Sequence, residues 1–315
     1  MPVTTPTTQN VADAYAACKA IAARDKPHLY DAAQHFEPQA TRDAFAATYA
    51  SMRVIDDFID DIPDRSHISP ETRKAAQQLV NRWLGQVRAA VEGRADGGPI
   101  WIALADTFAK FRIPVHPWED LAEAMITDLF VPRFQDWDHL RRYMKGASVA
   151  PAIVFMHLVL TRQTGEDQYR CAWDYERVAE ATEDLAIFCY WVHILRDAAR
   201  DLTLGETGLV YFPEADMERF GVSVDDLHVM RRQGTATDAY RELAAFEAER
   251  ALTHLKRGEA LVPAITREAL PAHAKALTSL VATYAALLDQ LRACQFDVFS
   301  GPVSLTSEQL SRIQD

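Results

Sequence analysis

Apolar positions recur along the chain at intervals of three and four residues, which is the spacing of one face of an α-helix. Alternation of apolar and polar residues with a period of two is almost absent. Glycine is scarce, with 12 residues in 315, and alanine is abundant, which also favours helix over sheet. The pattern predicts an all-α protein with helices near residues 11–23, 40–61, 70–92, 99–111, 117–130, 136–163 with a break, 174–202, 235–257 and 273–298.

Short segments containing proline or glycine separate these helices, and none has the composition of a flexible linker between domains. A chain of this length can bury one large core, so we predict a single helical domain over residues 11–300. Residues 1–10 are rich in threonine and proline and are predicted to be a disordered tail. Residues 301–315 are predicted to be a C-terminal tail.

The predicted helix over residues 40–61 carries carboxylates beside its apolar face. Asp56 and Asp60 are four residues apart, so a helix places both side chains on one side, about 6 Å from each other. They follow Arg53 and lie next to the apolar stripe rather than opposite it, which puts this first aspartate pair at the edge of a core. The stripe consists of Phe45, Tyr49, Met52, Ile55 and Ile59.

The predicted helix over residues 174–202 repeats this arrangement. His193, Asp197 and Asp201 follow one another at intervals of four residues, and Arg196 immediately precedes Asp197. Asp197 and Asp201 form the second aspartate pair. Two such pairs on facing helices would bind divalent metal ions through their oxygen atoms.

A solvated acidic face is the alternative for either stretch alone. However, four aspartates lie within six residues at the end of the first helix, where they oppose the helix dipole and repel one another. Two such stretches, each beside an arginine and each followed by a proline-containing loop, favour metal binding over simple solvation. A calcium loop is not indicated, because the D-x-D-x-D-G spacing is absent.

Charge and composition narrow the class of partner. The net charge of -12 argues against nucleic acid, which requires a basic face, so an anionic substrate would need metal ions as intermediaries. The four cysteines lack zinc-like spacing, and the N-terminus lacks the pattern of a signal peptide. The longest apolar stretch, residues 147–160, is shorter than the roughly 20 residues of a membrane span. These observations predict a cytoplasmic protein without an integral membrane anchor.

Two motifs resemble the aspartate motifs of the squalene and phytoene synthase family. The first is Tyr49-x-x-x-Arg53-x-x-Asp56-Asp57-x-x-Asp60, and the second is Ile194-Leu-Arg-Asp197-x-x-x-Asp201. Further segments are similar to the family in the same order, so the resemblance covers nearly the whole chain. They are residues 30–38, Asp128 and Arg133 with Tyr143–Ala150, Gly208–Pro213, and Tyr284–Asp289 followed by Phe296–Phe299.

The resemblance implies an isoprenoid-synthase-type helical bundle with a central cavity, and an enzyme that condenses two prenyl diphosphates head to head. It also implies Mg²⁺ as the cofactor, with about two or three ions bound and Mn²⁺ as a substitute. The metal would act as a Lewis acid that stabilises the leaving diphosphate and permits formation of an allylic cation. The implied metal ligands are Asp56, Asp60, His193, Asp197 and Asp201.

Arginines, one lysine and tyrosines complete the implied site. An arginine can grip a diphosphate through two oxygens, and the substrate-binding candidates are Arg53, Arg196, Lys145 and Arg200. Aromatic faces stabilise a cation, and the catalytic candidates are Tyr49, Tyr143, Tyr211 and Tyr284. The alternative role of an arginine is a salt bridge to a neighbouring aspartate, and that of an aromatic residue is core packing.

Three departures from the family pattern leave the reaction open. Tyr190 and His193 stand where the second motif usually has glutamine and asparagine, and Gly301 stands where a late arginine is common. His193 can ligate a metal, donate to phosphate or be a core histidine. Condensation of two farnesyl diphosphates, or of two geranylgeranyl diphosphates, to a squalene- or phytoene-like product is the favoured hypothesis.

The departures also support two other hypotheses. In the first, a single prenyl diphosphate is ionised and captured by water, by its own alkene or by another acceptor. In the second, the protein is a non-catalytic isoprenoid-binding subunit. The need for NADPH is left open, although no G-x-G-x-x-G motif is present. An apolar product would favour transient peripheral contact with the inner membrane face. The sequence does not indicate the oligomeric state.

Overall fold

The structure, a computed structural model, describes residues 8–25, 27–62, 68–95, 97–130, 133–203 and 208–314. Within these residues the chain forms helices, one π-helical segment at Lys145–Val149 and one hairpin of two antiparallel strands, β1 (Thr161–Gly165) and β2 (Gln168–Cys171). The helices are α1 (Thr8–Asp25), α2 (Pro27–Ala33), α3 (Gln39–Asp60), α4 (Pro70–Val91), α5 (Pro99–Phe111), α6 (His116–Asp128), α7 (Trp137–Met144), α8 (Ala150–Val159), α9 (Tyr175–Asp201), α10 (Glu214–Arg219), α11 (Val224–Gln233), α12 (Asp238–Glu259), α13 (Val262–Glu268), α14 (Pro271–Ala293) and α15 (Ser307–Gln314).

Two long helices, α3 and α9, carry the two aspartate motifs. α9 begins where the Asp174 side chain caps the helix by accepting from the Arg177 amide at 2.9 Å. It packs against α8, α12 and α14, so it buries apolar residues around much of its circumference. α3 contacts α1, α5 and α8. Because α8 contacts both α3 and α9, it completes a wall between them.

Alanine side chains pack against one face of α3. Ala46, Ala47 and Ala50 of α3 pack against Ala14 of α1 and Ala103 of α5, and all five are nearly inaccessible to solvent. Side chains of this size let neighbouring helices approach closely. The packing fixes one face of α3, and the aspartates lie on another.

A buried serine joins three helices through indole hydrogen bonds. Trp83 of α4 donates through Nε1 to the backbone carbonyl of Ser51 at 2.7 Å. Trp118 of α6 donates through Nε1 to the hydroxyl of the same serine at 3.0 Å. Buried indole N–H groups need acceptors, so Ser51 orients α4 and α6 against α3.

The predicted all-α class is confirmed, and the long helices near residues 40–61, 70–92, 99–111 and 174–202 end within one or two residues of their predicted bounds. The prediction omitted the short helices α2, α10, α11, α13 and α15, because a few turns give a weak periodic signal. α15 lies within the predicted C-terminal tail, whereas most of the predicted tail over residues 1–10 lies outside the described residues. No helix in the described part of the chain is long and apolar enough to cross a membrane.

The predicted helix over residues 136–163 is wrong at its end. α8 stops at Val159, and β1 pairs with β2 from Thr161 opposite Cys171. A two-residue turn joins the strands, with Asp167 at φ 53°. The segment from Thr161 to Gly165 is largely exposed and has no apolar stripe to bury, so tertiary pairing decides its conformation. The predicted break within the helix is the π-helical segment.

Candidate active site

An apolar cavity of about 250 Å³ lies among α3, α8, α9, α14 and the π segment. Its wall is mainly aliphatic and aromatic, with contributions such as Met52, Leu121 and Val281. Arg53 and Asp56 are the charged residues that line it. Such a lining excludes bulk water from most of the cavity and leaves a charged region on α3.

Three phenylalanine rings pack together at one part of the cavity wall, at a distance from this charged region. Phe45 and Phe155 line the cavity with their ring centroids 6.2 Å apart. Phe36 packs behind them, 6.2 Å from Phe45 and 5.3 Å from Phe155. Because Phe45 precedes Asp56 by three turns of α3, these rings lie about 16 Å along the helix from the first aspartate pair.

The first aspartate pair lies at the C-terminal end of α3. Arg53 forms ion pairs with Asp56 and with Asp57, one turn further along the helix. Burial alone would lower the pKa of Arg53, but the charges of these two aspartates raise it above its ordinary value. The Asp56 side chain is 37% exposed, and Asp60 is exposed. This pair therefore remains accessible to solvent and to a ligand.

The second aspartate pair is buried and surrounded by cationic groups. Arg196 donates to both carboxylate oxygens of Asp197, at 2.8 and 2.7 Å. Arg200 lies 2.8 Å from the same carboxylate, and His193 Nδ1 lies 3.2 Å from it. Burial would raise the pKa of Asp197, but the Arg196 hydrogen bonds and the charges of its neighbours hold it below its ordinary value. Asp197 is therefore an ionised carboxylate at neutral pH.

Asp201 has the opposite shift. Its side chain is 9% exposed, and Arg200 lies 3.3 Å from it. Burial raises the pKa of Asp201 to about 6, and the charge of Asp197 adds to this shift. The pKa values of Asp197 and Asp201 are thus shifted in opposite directions, so the two carboxylates differ in how readily they bind a proton.

The charges of both aspartate pairs act on Tyr190. Burial raises its pKa, and the negative charges of Asp128, of Asp56 on α3 and of Asp201 on α9 contribute in the same direction. The Tyr190 ring lines the cavity and stacks on His193 at 6.2 Å. Tyr190 is therefore within electrostatic range of one aspartate of each pair, and it occupies the position where the family resemblance leads us to expect glutamine.

The four predicted tyrosines divide into two groups. Tyr49 and Tyr284 line the cavity. Tyr143 is buried behind it and donates to both carboxylate oxygens of Asp128, at 2.9 and 3.1 Å. Tyr211 packs 6.2 Å from the Tyr143 ring. The first two can contact a substrate directly, whereas the other two support the wall.

The structure places Lys145 outside the cavity, whereas His193 lines the cavity beside Asp197. The Lys145 side chain is 68% exposed, and its ammonium lies 3.2 Å from Asp120, outside the cavity. His193 Nδ1 lies 2.8 Å from Arg196 Nη2, and since arginine can only donate, the imidazole accepts there. Among the described residues, no three His, Cys, Asp or Glu side chains are grouped closely enough to hold a metal ion.

The sequence analysis assigned no role to several residues of the wall. Leu277, Leu280 and Val281 line the cavity one or two turns before Tyr284, so the helical period of α14 was an available signal. Asp128 lay inside a quoted motif without an assigned role. Phe36 lies inside the segment 30–38 that resembles the family, but its position behind Phe45 and Phe155 depends on tertiary packing.

An apolar cavity between helices that bear arginine and aspartate suits a ligand with an apolar tail and an anionic head. Residues 24–309 match the family model described as squalene/phytoene synthase, and the chain belongs to this family. It is similar to 15-cis-phytoene synthase of Synechocystis sp., with 28% identity over 92% of this chain and 80% of that protein. It is also 26% identical to phytoene synthase 2 of Solanum lycopersicum, over 92% of this chain and 85% of that protein.

Solved structures share the fold over nearly the whole chain. A dehydrosqualene synthase matches with a TM-score of 0.77 and 20% identity, covering 97% of this chain and 95% of that one. A squalene synthase from Alicyclobacillus acidocaldarius matches with a TM-score of 0.73 and 24% identity, covering 92% and 97%. With the family match, the protein is a prenyltransferase of the type that condenses prenyl diphosphates head to head.

Proposed function

We propose that the protein condenses two farnesyl diphosphates head to head to a C30 product in a Mg²⁺-dependent reaction. The observation that carries the choice of chain length is the packing of Phe45 and Phe155, which line the cavity, against Phe36 behind them. A wall of large rings limits the length of an isoprenoid that fits with its head at the aspartates. Geranylgeranyl diphosphate is the longer alternative, and this wall disfavours it.

The donor chemistry of the two aspartate pairs fits magnesium. Asp56 and Asp60 lie on α3, Asp197 and Asp201 lie on α9, and all four offer the hard oxygen ligands that Mg²⁺ prefers. Arg53 forms an ion pair with Asp56, and Arg196 forms one with Asp197, so metal binding would replace part of those contacts. Bound Mg²⁺ would supply Lewis acidity at the leaving diphosphate.

The remaining steps follow from the residues of the chain itself. Arg53 and Arg196 lie next to opposite aspartate pairs, where their guanidinium groups can bind diphosphate oxygens in two places. The apolar wall excludes water, which would otherwise capture the cation. Tyr49 and Tyr284 line the cavity and offer aromatic faces to the positive charge. These groups bind the head, shield the tail and stabilise the cation.

Product analysis tests the proposal. Purified protein is incubated with Mg²⁺ and either the C15 or the C20 diphosphate, with and without EDTA, and extracts are examined for hydrocarbons. We expect a C30 hydrocarbon or its cyclopropyl diphosphate precursor from the C15 substrate, and none with EDTA. A C40 product alone would overturn the chain length, and a product that persists with EDTA would overturn the metal dependence.

Two further outcomes would replace the proposed reaction. Prenyl alcohol or a cyclic product with first-order dependence on one substrate would indicate ionisation and capture of a single diphosphate. Tight binding without turnover would indicate a non-catalytic subunit. Asp56→Asn is the test variant, and Asp225→Asn is the matched control, because Asp225 is an exposed aspartate at the start of α11.

A further inference from the structure

A carboxyl group outside the cavity is buried at the junction of α9, α10 and α12. Glu247 of α12 is inaccessible to solvent. Its Oε2 accepts from the Trp191 indole of α9 at 3.1 Å and from Arg250 Nη1 at 2.6 Å. The same Arg250 nitrogen donates to Asp216 of α10 at 2.8 Å. These four side chains do not line the cavity, so the reaction described above leaves the buried carboxyl without a role.

Two carboxyl groups share one guanidinium nitrogen at this junction. Two negative charges so close together repel each other, and Glu247 is fully buried, whereas the Asp216 side chain is 13% exposed. Glu247 Oε1 has no donor among the described residues, and an ionised carboxylate would need one. Burial raises the pKa of Glu247 to about 8, and the charge of Asp216 and a hydrogen bond to it add to the rise, whereas Arg250 opposes it. Glu247 therefore holds a proton at neutral pH.

The charge balance of this junction involves one cation and two carboxyl groups. Arg250 and Asp216 have the largest charge effects on Glu247. The indole that α9 presents to Glu247 is uncharged. About two turns further along α12, His254 forms a separate pair with Asp184 of α9 at 2.6 Å. Loss of the proton from Glu247 would therefore leave two negative charges against one positive charge at the junction.

Residues 208–213 form a loop that leads into α10, and this loop lies between the junction and the active site. The Leu209 amide donates to the backbone carbonyl of Asp201 at 2.9 Å. Tyr211 packs against the tyrosine that supports the cavity wall. Phe212 meets the Trp191 ring edge to face, with the centroids 6.0 Å apart. The loop thus contacts the second aspartate pair at its start, and the buried carboxyl network holds the helix that follows it.

We propose that Glu247 is a positioning residue whose proton keeps α10 and the 208–213 loop in the arrangement that supports the active-site wall. When this proton is lost to solvent, a second negative charge faces Asp216 across Arg250, and the repulsion loosens α10 and the loop before it. Tyr211 then loses part of its packing against the wall. Activity should therefore be retained at neutral pH and decline in alkaline solution. Only the kinetic readout of this role rests on the proposed function.

Glu247→Gln tests the role, because the amide has the shape of the protonated carboxyl and does not ionise. Between pH 7 and pH 9 the protonated fraction of a group with a pKa of about 8 falls about tenfold, so we expect kcat of wild type to fall about fivefold. The variant should keep kcat within about twofold over the same range. Glu249→Gln is the matched control and should follow wild type, because Glu249 is an exposed neighbour on α12. Superimposable profiles of wild type and Glu247→Gln would overturn the proposal.

Two measurements need no turnover, so they stand apart from a failure of the proposed reaction. The ¹⁵N–¹H signal of the Trp191 indole, identified with Trp191→Phe, should shift with a midpoint near pH 8 in wild type and should not do so in Glu247→Gln. Hydrogen exchange of residues 208–216 should be equal in the two proteins at pH 7 and about fivefold faster in wild type at pH 9. An indole signal that does not titrate, or equal exchange at pH 9, would overturn the proposal.

Discussion

The two aspartate pairs share one spacing but lie in different surroundings. Asp56 on α3 is 37% exposed and shares one arginine with Asp57, whereas Asp197 on α9 is 8% exposed and contacts Arg196, Arg200 and His193. An exposed ion pair contributes little to stability, but a buried one is costly to break. The difference indicates that the first pair is free to exchange partners, while the second is already held in position.

The largest expected effect is a loss of catalytic activity, and it should be equal for aspartate variants of α3 and of α9. Asp56→Asn and Asp197→Asn should each lower kcat about a thousandfold, roughly 4 kcal/mol, if both pairs hold the metal that activates the leaving group. Product formation at saturating farnesyl diphosphate and Mg²⁺ measures this loss. Asp225→Asn serves as the control. If either variant keeps more than about a tenth of the activity, the pair that it belongs to is not a metal site.

Folding stability should distinguish the pairs. Asp197→Ala should lower the free energy of unfolding by about 3 kcal/mol, because it leaves Arg196 buried without its bidentate partner. Asp56→Ala should lower it by less than about 1 kcal/mol, because its side chain is partly solvated. Urea unfolding of the metal-free protein measures both. Equal losses would contradict the distinction between an exposed and a buried pair.

The pH dependence of stability should differ within the second pair. The folded pKa of Asp201 is raised to about 6, so its stabilising contribution is present below its ordinary pKa and is lost as pH rises through 6. Asp201→Asn should therefore match wild type near pH 4 and exceed it at neutral pH by on the order of 2 kcal/mol, with EDTA present.

Asp197 should show the reverse trend. Its folded pKa is lowered, so its contribution is present above its ordinary pKa and is lost as pH falls through the folded value. The cost of Asp197→Asn should accordingly shrink on acidification. Urea unfolding across this pH range measures both variants, and parallel curves would refute the assignment of opposite shifts.

The smallest effect should come from the outer arginine. Arg200 is 61% exposed and Arg196 is 18% exposed, although both contact Asp197. Arg200→Ala should cost about 0.5 kcal/mol of unfolding free energy, and Arg196→Ala about 2 kcal/mol. Thermal unfolding can rank the two variants. A larger loss for Arg200 would mean that exposure does not govern these ion pairs.

The long motif helices were predictable from the sequence because they obey one period. On α3, residues four apart share a face over the whole helix, so Asp56 and Asp60 could be placed beside the apolar stripe. The pairing of carboxylates with particular arginines was not predictable, because it depends on side-chain rotamers and burial. Likewise, charges on both α3 and α9 raise the pKa of Tyr190, and no local sequence pattern encodes that combination.

The π segment shows where a regular helical period no longer predicts which residues share a face. The prediction for residues 136–163 assumed 3.6 residues per turn, but the π segment adds a residue and turns the following faces by about 100°. Lys145 is the first residue of this segment, and its ammonium lies at Asp120 on the outside. Phe155, beyond the π segment, lines the cavity.

The alanine side chains that pack behind α3 help to set the width of the active site, although they do not line the cavity. Ala46, Ala47 and Ala50 press against α1 and α5, so α3 has no room to move backward. A larger residue such as leucine at Ala47 would have to displace the helix forward, toward α9. The distance between the two aspartate pairs therefore depends in part on the alanines on the opposite face of α3. A screen for variants with altered metal affinity should include these alanines.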